Sequence, residues 1–574
     1  METLLHTKWR DVFCICEHAH TDLALADEVC DGVFTCAGIR LELGVPPDWT
    51  TTALPEDEEW RIEWYKFYYG LDLAHAFAVT GNEKYRETWR QLVQSWIAQM
   101  PVGCDSSDIA ARRIQNWIYA WNAFSENGSF EAQFEDEIIC SLATQVTHLR
   151  NNLTAERNHR TLELYALFIA ALALPELNND NLLEFAMTEL HRNLLTDVKP
   201  DGVHREQSTH YHAVVLRSFL GARENAKCFD LEFPASYDER LKKACEFLLH
   251  VQRPDGLIPA LSDADTGSYS DLLELAAFIF DRSDFLYVAT DGALGEPPAE
   301  LCASFPDGGY YIQRSGWGVD DKYLVFDCGP LGDGGHGHYD LLNIEVAANG
   351  RALIVDPGRF TYVEDDEQWR HYFKGTAGHN TVCVDDLDQT PYQRGKAKGA
   401  VAQGRLLSRV TAPDFDMLCG EVRSPVYDAV HTRRIFFIAG EYWLIVDSLR
   451  AAVPHKYELR FHLTPLATDG FVLLFEPHRK PVMSEGWVSP YYGIKEAARV
   501  ISVVAEGCKD TDFYTLIVPL KPGSSAPSFQ VETDRSDALS SGQVRVERVG
   551  KSCEEVDEIS WTNNSVTFGR RSLS

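Results

Sequence analysis

The sequence predicts a multidomain α+β protein, in which an N-terminal α/α toroid or incomplete barrel is followed by a C-terminal antiparallel β-sandwich. At 574 residues the chain exceeds what one hydrophobic core usually supports, so two domains are expected. Apolar residues recur at three- and four-residue spacings from about residue 60 to residue 281. Further on, short β-branched and aromatic runs replace this pattern. We place the boundary near residue 300, which gives domains 1–300 and 301–574.

The first helices are predicted from two apolar stripes, one running from Trp60 to Leu71 and one from Trp89 to Trp96. Successive helical hairpins of this kind build a solenoid or a closed α/α barrel, and the absence of a fixed-period repeat favours the barrel. Further helices are predicted at residues 109–124, 134–149, 161–174, 182–195, 213–226, 241–251 and 270–280.

The second half carries the strand signals. Many short runs with turns between them indicate a sheet packed on a sheet. The last thirty or so residues carry the weakest pattern and are expected to form edge strands or a loose tail. The clearest strand runs begin at Tyr310, Tyr323, Ile435, Tyr442 and Tyr514.

Composition limits the classes of function. A formal net charge of −33 argues against general nucleic-acid or membrane-surface binding, which needs a basic face. A polyanionic ligand would need a local basic cleft. The fourteen cysteines form no C-x-x-C pair, which excludes a zinc knuckle. No apolar run is long enough to span a bilayer, and the first residues lack the pattern of an export signal. We therefore expect a cytoplasmic protein, or a periplasmic or secreted one if a signal has been removed; the oligomeric state is not indicated.

A metal site is suggested between Gly332 and Gln389. Two β-rich runs meet at Asn349-Gly350, the strongest short-range signal for a two-residue hairpin, and folding about it pairs Asn343 with Asp356. His338 then lies near Asp356, and His379 precedes another β-rich run. Two histidines and one aspartate suit zinc, with a harder ion such as manganese or calcium also allowed. The alternative is two hydrogen-bonded histidines at strand ends and an Asp-Pro-Gly turn.

Two polar clusters interrupt the helical half. Residues 156–160, E-R-N-H-R, directly precede an apolar helix, and their alternative interpretation is a capped helix start. Residues 204–212 hold three histidines and Tyr211, and the alternative there is a solvated loop. The hydroxyl of Tyr211 is expected to project from a helix end.

A basic cleft is suggested by several arginines. Arg112 and Arg113 precede Trp117, whose face would stack on a sugar ring, and Arg157, Arg160 and Arg205 would complete the cleft. Surface arginines on an amphipathic helix are the commoner explanation for any one of them. The carboxylates do not single out the pair that a glycosidase needs.

Taken together, the motifs H-x-H-x-D, D-P-G and H-N-T-V resemble the signature of heparinase II/III-like polysaccharide lyases, and the similarity extends from about Trp60 to the C-terminal strands. The resemblance implies a lyase that cleaves a uronate-containing polysaccharide by β-elimination to 4,5-unsaturated products. The substrate would be a glycosaminoglycan such as heparan sulfate, heparosan, hyaluronan or chondroitin, or else alginate. A glycoside hydrolase with paired carboxylates and a non-catalytic glycan-binding protein are the rival interpretations.

The resemblance also implies roles for individual residues. Asn158 would neutralise the uronate carboxylate, Tyr211 would transfer the proton, and His336 would be the base for the C5 epimer. His338, Asp356 and His379 would hold one divalent ion, mainly in a structural role. Tyr211 would act as base, as acid or as both. To act as a base it needs a lowered pKa, which the neighbouring His212, Arg205 and Asn158 would provide. The residues expected to contact the acidic polysaccharide are Arg112, Arg113, Trp117, Arg157, His159, Arg205 and His212.

Overall fold

The computed structural model describes residues 9–17, 21–125, 130–178, 181–364, 368–465, 470–520, 527–532, 541–549, 554–562 and 565–573. The chain forms two compact units: a helical unit of residues 1–198 and 213–242, and a sheet-rich unit of residues 199–212 and 243–574. Within the described residues, none of the helices combines the length and apolarity that crossing a bilayer requires. Most of the segment on which the expected lack of an export signal rests, residues 1–8, lies outside the described residues.

The predicted helices are present, but the apolar stripe from Trp60 to Leu71 is divided between two helices, because Phe67 has a φ of 61° and ends the first one. Side-chain caps fix several helix starts: Asp57 accepts from the N–H of Glu59 at 2.9 Å, and Asn82 from that of Lys84 at 3.1 Å. A small hairpin, β1 (Val33–Cys36) and β2 (Ile39–Glu42), was not predicted. The helices are α1 (Leu23–Cys30), α2 (Glu58–Lys66), α3 (Tyr69–Thr80), α4 (Glu83–Gln99), α5 (Ser107–Ser125), α6 (Ala132–Asn151), α7 (Arg157–Ala173) and α8 (Leu182–Asp197).

Helix α5 is largely enclosed within the helical unit. It packs against α2, α3, α6 and α7, and fifteen of its nineteen residues are buried, including polar ones. A helix that is enclosed on every side cannot present a solvent-facing polar stripe. Helices α9 (Thr209–Cys228) and α10 (Ala235–Val251) contribute residues to both units.

Besides parts of α9 and α10, the described residues of the sheet-rich unit form three further helices and most of the strands. The helices are α11 (Ser270–Phe280), α12 (Ser283–Ala289) and α13 (Trp369–Lys374). The strands are β3 (Ala303–Phe305), β4 (Tyr310–Arg314), β5 (Tyr323–Asp327), β6 (Ile344–Ala348), β7 (Arg351–Ile354), β8 (Val382–Val384), β9 (Gln403–Ala412), β10 (Phe415–Arg423), β11 (Val430–Ile438), β12 (Tyr442–His462), β13 (Phe471–Phe475), β14 (Val482–Tyr491), β15 (Ile494–Pro519), β16 (Ser528–Glu532), β17 (Ser541–Val549), β18 (Glu554–Thr562) and β19 (Val566–Leu573).

These strands form three antiparallel sheets, all open in the part of the chain that the structure describes. One core lies between the five-stranded sheet β3-β4-β5-β6-β7 and one face of the eight-stranded sheet around β12 and β15. A second core lies between the other face and the four-stranded sheet β16-β17-β18-β19. The predicted fold class, helices followed by a β-sandwich, is confirmed. The limits 1–300 and 301–574 stay a prediction.

The hairpin of β6 and β7 turns at the predicted place. Asn349 and Gly350 both have positive φ, 54° and 72°, as a two-residue hairpin turn of this kind requires. A bulge between Val346 and Ala347 shifts the register by one residue. Asn343 still meets Asp356, because its side-chain amide donates to Asp356 Oδ2 at 2.6 Å.

Candidate active site

Three buried side chains form the predicted metal cluster. Each of His338, Asp356 and His379 offers a ligand atom, and these atoms all lie within 4.8 Å of one another. Two buried ring nitrogens, His338 Nδ1 and His379 Nε2, have no protein hydrogen-bond partner. The hairpin that carries Asp356 and the strand β8 that follows His379 therefore bring together the residues that the sequence pattern indicates.

The electrostatics of this cluster favour a cation. Burial lowers the pKa of His338 to about 4, so its ring is neutral and able to act as a ligand. Burial also opposes the charge on His379, but Asp356 and Asp340 outweigh it and raise the pKa of His379 to about 9. Burial raises the pKa of Asp340 to about 6. Unpartnered nitrogens beside an excess of carboxylates fit a divalent metal ion, and no metal identity follows from them.

Asp263 lies between the metal cluster and His336. Its Oδ1 is 2.9 Å from His338 Nε2, and its Oδ2 is 3.0 Å from His336 Nδ1. Arg370, on α13, donates to both oxygens, with Nη2 2.8 Å from Oδ2. Burial alone would raise the pKa of Asp263, but Arg370 and the two histidines outweigh it and hold the pKa well below the ordinary carboxyl value.

Tyr211 lies in the first turn of α9, beside His336. The rings of Tyr211 and His336 stack with centroids 3.8 Å apart and planes 28° apart. The Tyr211 N–H donates to Ser208 Oγ at 3.3 Å, and that hydroxyl donates to the Asp263 carbonyl at 2.7 Å. The side chain of His336 remains 18% exposed. A phenol and an imidazole are thus held side by side, each with an exposed part.

A second tyrosine, Tyr362, lies within hydrogen-bond distance of Tyr211. The hydroxyl of Tyr362 lies 3.0 Å from that of Tyr211, and Arg359 Nη1 donates to Tyr362 at 2.8 Å. Arg359 is held by Asp265 through two bonds, of 2.8 Å from Nε and 2.5 Å from Nη2. Burial would raise the pKa of Asp265, but Arg359 outweighs it, and the pKa lies below the ordinary value.

The β14–β15 hairpin supports the segment that carries Arg359 and Tyr362. The Ser489 N–H donates to the Pro357 carbonyl at 2.7 Å, and the Gly493 N–H donates to the Phe360 carbonyl at 2.7 Å. The Tyr362 N–H donates to the Tyr492 hydroxyl at 3.2 Å. These contacts fix the path of residues 357–362.

The residues predicted at the start of α7 lie in the helical unit. Asn158 is buried in the first turn of α7. Arg157 has a φ of 76°, an uncommon conformation for a residue other than glycine, and its N–H donates to Asp197 Oδ2 at 2.9 Å. The His159 side chain is 49% exposed, with Nδ1 3.8 Å from Asp108 Oδ1. The functional roles of Asn158, Arg157 and His159 stay predictions.

The predicted substrate contacts of helix α5 do not fit its placement. Trp117 is fully buried, so its face cannot receive a sugar ring in this structure. Arg112 is buried and pairs with Glu17, and Arg113 is buried and pairs with Asp105 at 2.5 Å. The physical reason is that α5 is enclosed by other helices, so its arginines neutralise internal carboxylates.

Two further predicted substrate contacts, Arg205 and His212, differ in their exposure. Arg205 pairs with Asp333, with Nη2 2.7 Å from Oδ2, and keeps 19% of its side chain exposed, so its substrate role stays a prediction. His212 is buried, its Nε2 lies 3.0 Å from the Ala244 carbonyl, and burial lowers its pKa to about 4. A buried neutral imidazole neither contacts substrate nor assists Tyr211 by its charge, so the predicted role of His212 is not supported.

Comparison with known proteins identifies the family. The model described as "Heparinase II/III N-terminus" matches residues 37–287, and the model "Heparinase II/III-like, C-terminal" matches residues 297–512. The chain belongs to the heparinase II/III-like family. Both halves of the family are present in the expected order.

The chain is similar to individual proteins at low sequence identity, but the similarity covers more than half of each chain. A heparin-sulfate lyase of Bacteroides stercoris is 24% identical over 544 residues, 84% of this chain and 79% of that protein. A heparin-sulfate lyase of Pedobacter heparinus is 25% identical over 425 residues, 71% of this chain and 62% of that protein. A crystal structure of heparinase III has a TM-score of 0.81 at 18% identity, with coverage of 96% of this chain and 94% of that one, and so shares the fold.

Sequence reasoning did not find the residues that surround Tyr211 and His336. Asp263 and Asp265 lie in the loop L-S-D-A-D-T after α10, Arg370 lies on the short helix α13, and Arg359 and Tyr362 follow the Asp-Pro-Gly turn. The available signal was weak: two acidic residues in a loop free of other charges, and a run R-F-T-Y directly after the Asp-Pro-Gly turn.

Proposed function

We propose that this protein is a polysaccharide lyase that cleaves a uronate-containing glycosaminoglycan, of the heparan sulfate class, by β-elimination. The observation that carries the proposal is the stacked pair of Tyr211 and His336, held by Asp263 on one side and by Tyr362 on the other. Family membership supports the reaction class. The names of the relatives support the substrate class, with alginate and the other glycosaminoglycans as alternatives.

Elimination needs a donor at the uronate carboxylate and a group that transfers the C5 proton. Removal of the C5 proton leaves charge on the adjacent carboxylate, so a donor at that carboxylate stabilises the transition state more than the ground state. We assign this donor role to Asn158 on the motif resemblance. Tyr211 transfers the proton to or from the sugar, and the hydroxyl of Tyr362, which accepts from Arg359, lies 3.0 Å from that of Tyr211 and holds it in place. His336 is the base for the epimer whose C5 proton lies on the opposite face.

The two aspartates that support this pair, Asp263 and Asp265, do not suit a glycoside hydrolase. Such an enzyme needs one carboxyl group with a raised pKa to protonate the leaving oxygen. Asp263 and Asp265 each pair with an arginine, and the pKa of each lies below its ordinary value. Neither one can serve as that acid, which favours elimination over hydrolysis.

The metal ion is proposed to be zinc with a structural role, because two imidazoles and one carboxylate suit it better than calcium. His338, Asp356 and His379 would hold it. When bound, it would supply positive charge that ties the β6–β7 hairpin to the segment before β8. His336 contacts Asp263 and is not a member of the ligand set, so its own chemistry stays separate.

The test is a screen for the 4,5-unsaturated product by its ultraviolet absorbance. Heparan sulfate, heparosan, hyaluronan, chondroitin and alginate are each incubated with the protein, and reducing ends are counted in parallel. We expect both signals to rise together on a substrate of the heparan sulfate class. New reducing ends without the absorbance would instead indicate hydrolysis, and neither signal on any substrate would refute an enzymatic role on these polymers.

A further inference from the structure

We propose that Asp263 is a positioning residue that fixes opposite tautomers of His336 and His338 and thereby couples the metal cluster to the proton-transfer pair. The expected effect on catalysis rests on the proposed function. The expected effects on the two histidine tautomers and on zinc affinity do not depend on it.

The geometry assigns one carboxylate oxygen to each histidine. Asp263 Oδ2 faces Nδ1 of His336 at 3.0 Å, whereas Oδ1 faces Nε2 of His338 at 2.9 Å. The backbone strengthens the arrangement, because the Asp263 N–H donates to the His336 carbonyl at 3.1 Å. Arg370 donates to both oxygens, so the carboxylate cannot rotate away from either ring without losing an ion pair inside the protein.

A carboxylate only accepts hydrogen bonds, so each ring nitrogen that faces it must carry the proton. His336 is then the Nδ1–H tautomer, and its Nε2 holds the lone pair. His338 is the Nε2–H tautomer, and its Nδ1 holds the lone pair. That Nδ1 is the buried nitrogen without a protein partner in the metal cluster, so the tautomer that Asp263 imposes is the one that can bind the ion.

One side chain therefore sets both a proton acceptor and a metal ligand. Loss of the carboxylate frees both rings to adopt the other tautomer or to turn. Partners of this kind typically contribute 10- to 100-fold to metal affinity or activity. We expect Asp263→Asn to reduce zinc affinity by about 10- to 100-fold and kcat by a similar factor, with KM changed much less.

The first measurement uses full-length wild-type protein with nitrogen-15 in the histidine rings. Long-range proton–nitrogen spectra report which ring nitrogen carries the proton, and His336→Gln and His338→Gln assign the two signals. We expect protonation on Nδ1 of His336 and on Nε2 of His338, with zinc and after chelation. A wild-type His336 protonated on Nε2 alone would overturn the inference without any variant of Asp263.

The second measurement is zinc affinity by competition with a chelator. Asp263→Asn is compared with Asp265→Asn, which also breaks an aspartate–arginine pair but contacts neither histidine. We expect the loss of affinity and the mixed tautomers in the first variant only. Equal affinities in wild type and Asp263→Asn would refute the coupling. Should Asp263→Asn fold poorly because Arg370 is left buried and unpaired, the double variant with Arg370→Gln removes that charge.

Failure of the inference differs from failure of the proposed function. If the wild-type protein yields no unsaturated product from any glycan, the lyase assignment fails, while the ring spectra and zinc affinities still decide the role of Asp263. If the wild type is an active lyase and both tautomers survive in Asp263→Asn, only the inference fails.

Discussion

Replacement of Tyr211 by phenylalanine tests the central residue of the proposed mechanism. The substitution removes one hydroxyl and keeps the ring, so the stacking on His336 at 3.8 Å is preserved. The lost hydrogen bond to Tyr362 should cost about 1 kcal/mol of unfolding free energy, because Arg359 still donates to the Tyr362 hydroxyl. The folded structure should therefore survive.

The catalytic effect should be much larger than this structural cost. Loss of the proton-transfer group should lower kcat by at least about 10²-fold, which corresponds to about 2.7 kcal/mol of transition-state stabilisation. KM should change little, because the hydroxyl acts mainly in the transition state. The assay is the initial rate of ultraviolet absorbance on the best substrate of the screen.

The control is Tyr323→Phe, which deletes another hydroxyl of the sheet-rich unit. Tyr323 is buried and donates to the Val251 carbonyl at 2.7 Å. We expect a comparable or larger loss of stability and an unchanged kcat. Near wild-type turnover in Tyr211→Phe would refute the role of Tyr211, and an equal loss of kcat in both variants would attribute the effect to stability.

Three further outcomes are expected. His379→Ala should lower both the metal content of the purified protein and its melting temperature, whereas unchanged values would remove the metal assignment. Asn158→Ala should lower kcat by about 10²- to 10³-fold, by analogy with the loss of an oxyanion donor, and a smaller effect on kcat than on KM would assign Asn158 to binding. Burial would lower the pKa of His455, but hydrogen bonds to Asp385 and Asp428 outweigh burial and raise the pKa above the ordinary 6.5. Protonated His455 therefore stabilises the fold at low pH, and this stabilisation is lost as the pH rises through the raised pKa. The difference in melting temperature between wild type and His455→Gln should therefore shrink above pH 6.5, and a constant difference would contradict this reasoning.

Local patterns predicted the elements well, because their causes are local. The Trp60 stripe, the Asn349-Gly350 turn and the strand runs each reflect burial or backbone conformation within a few residues. The meeting of Asn343 with Asp356 followed from a simple hairpin count. The bulge after Val346 did not follow from that count.

The residues around Tyr211 could not be predicted in the same way. Asp263 meets its histidines 73 and 75 residues away and Arg370 107 residues away, and no periodicity connects such positions. The enclosure of Arg112 and Trp117 could not be predicted from α5 itself, because the helix mixes polar and apolar residues as a surface helix does. The sequence of a single helix does not reveal how many neighbours will surround it.

The contacts of the β14–β15 hairpin limit how the chain can be shortened. Residues 357–362 follow the predicted metal ligand Asp356 and carry Arg359 and Tyr362. They contact a hairpin more than 120 residues further along the chain. A fragment that ends before Val482 would retain every predicted ligand and catalytic residue, yet it would lose the backbone partners of Pro357, Phe360 and Tyr362. A search for a smaller active lyase should therefore shorten surface loops and keep the long strand β15 whole.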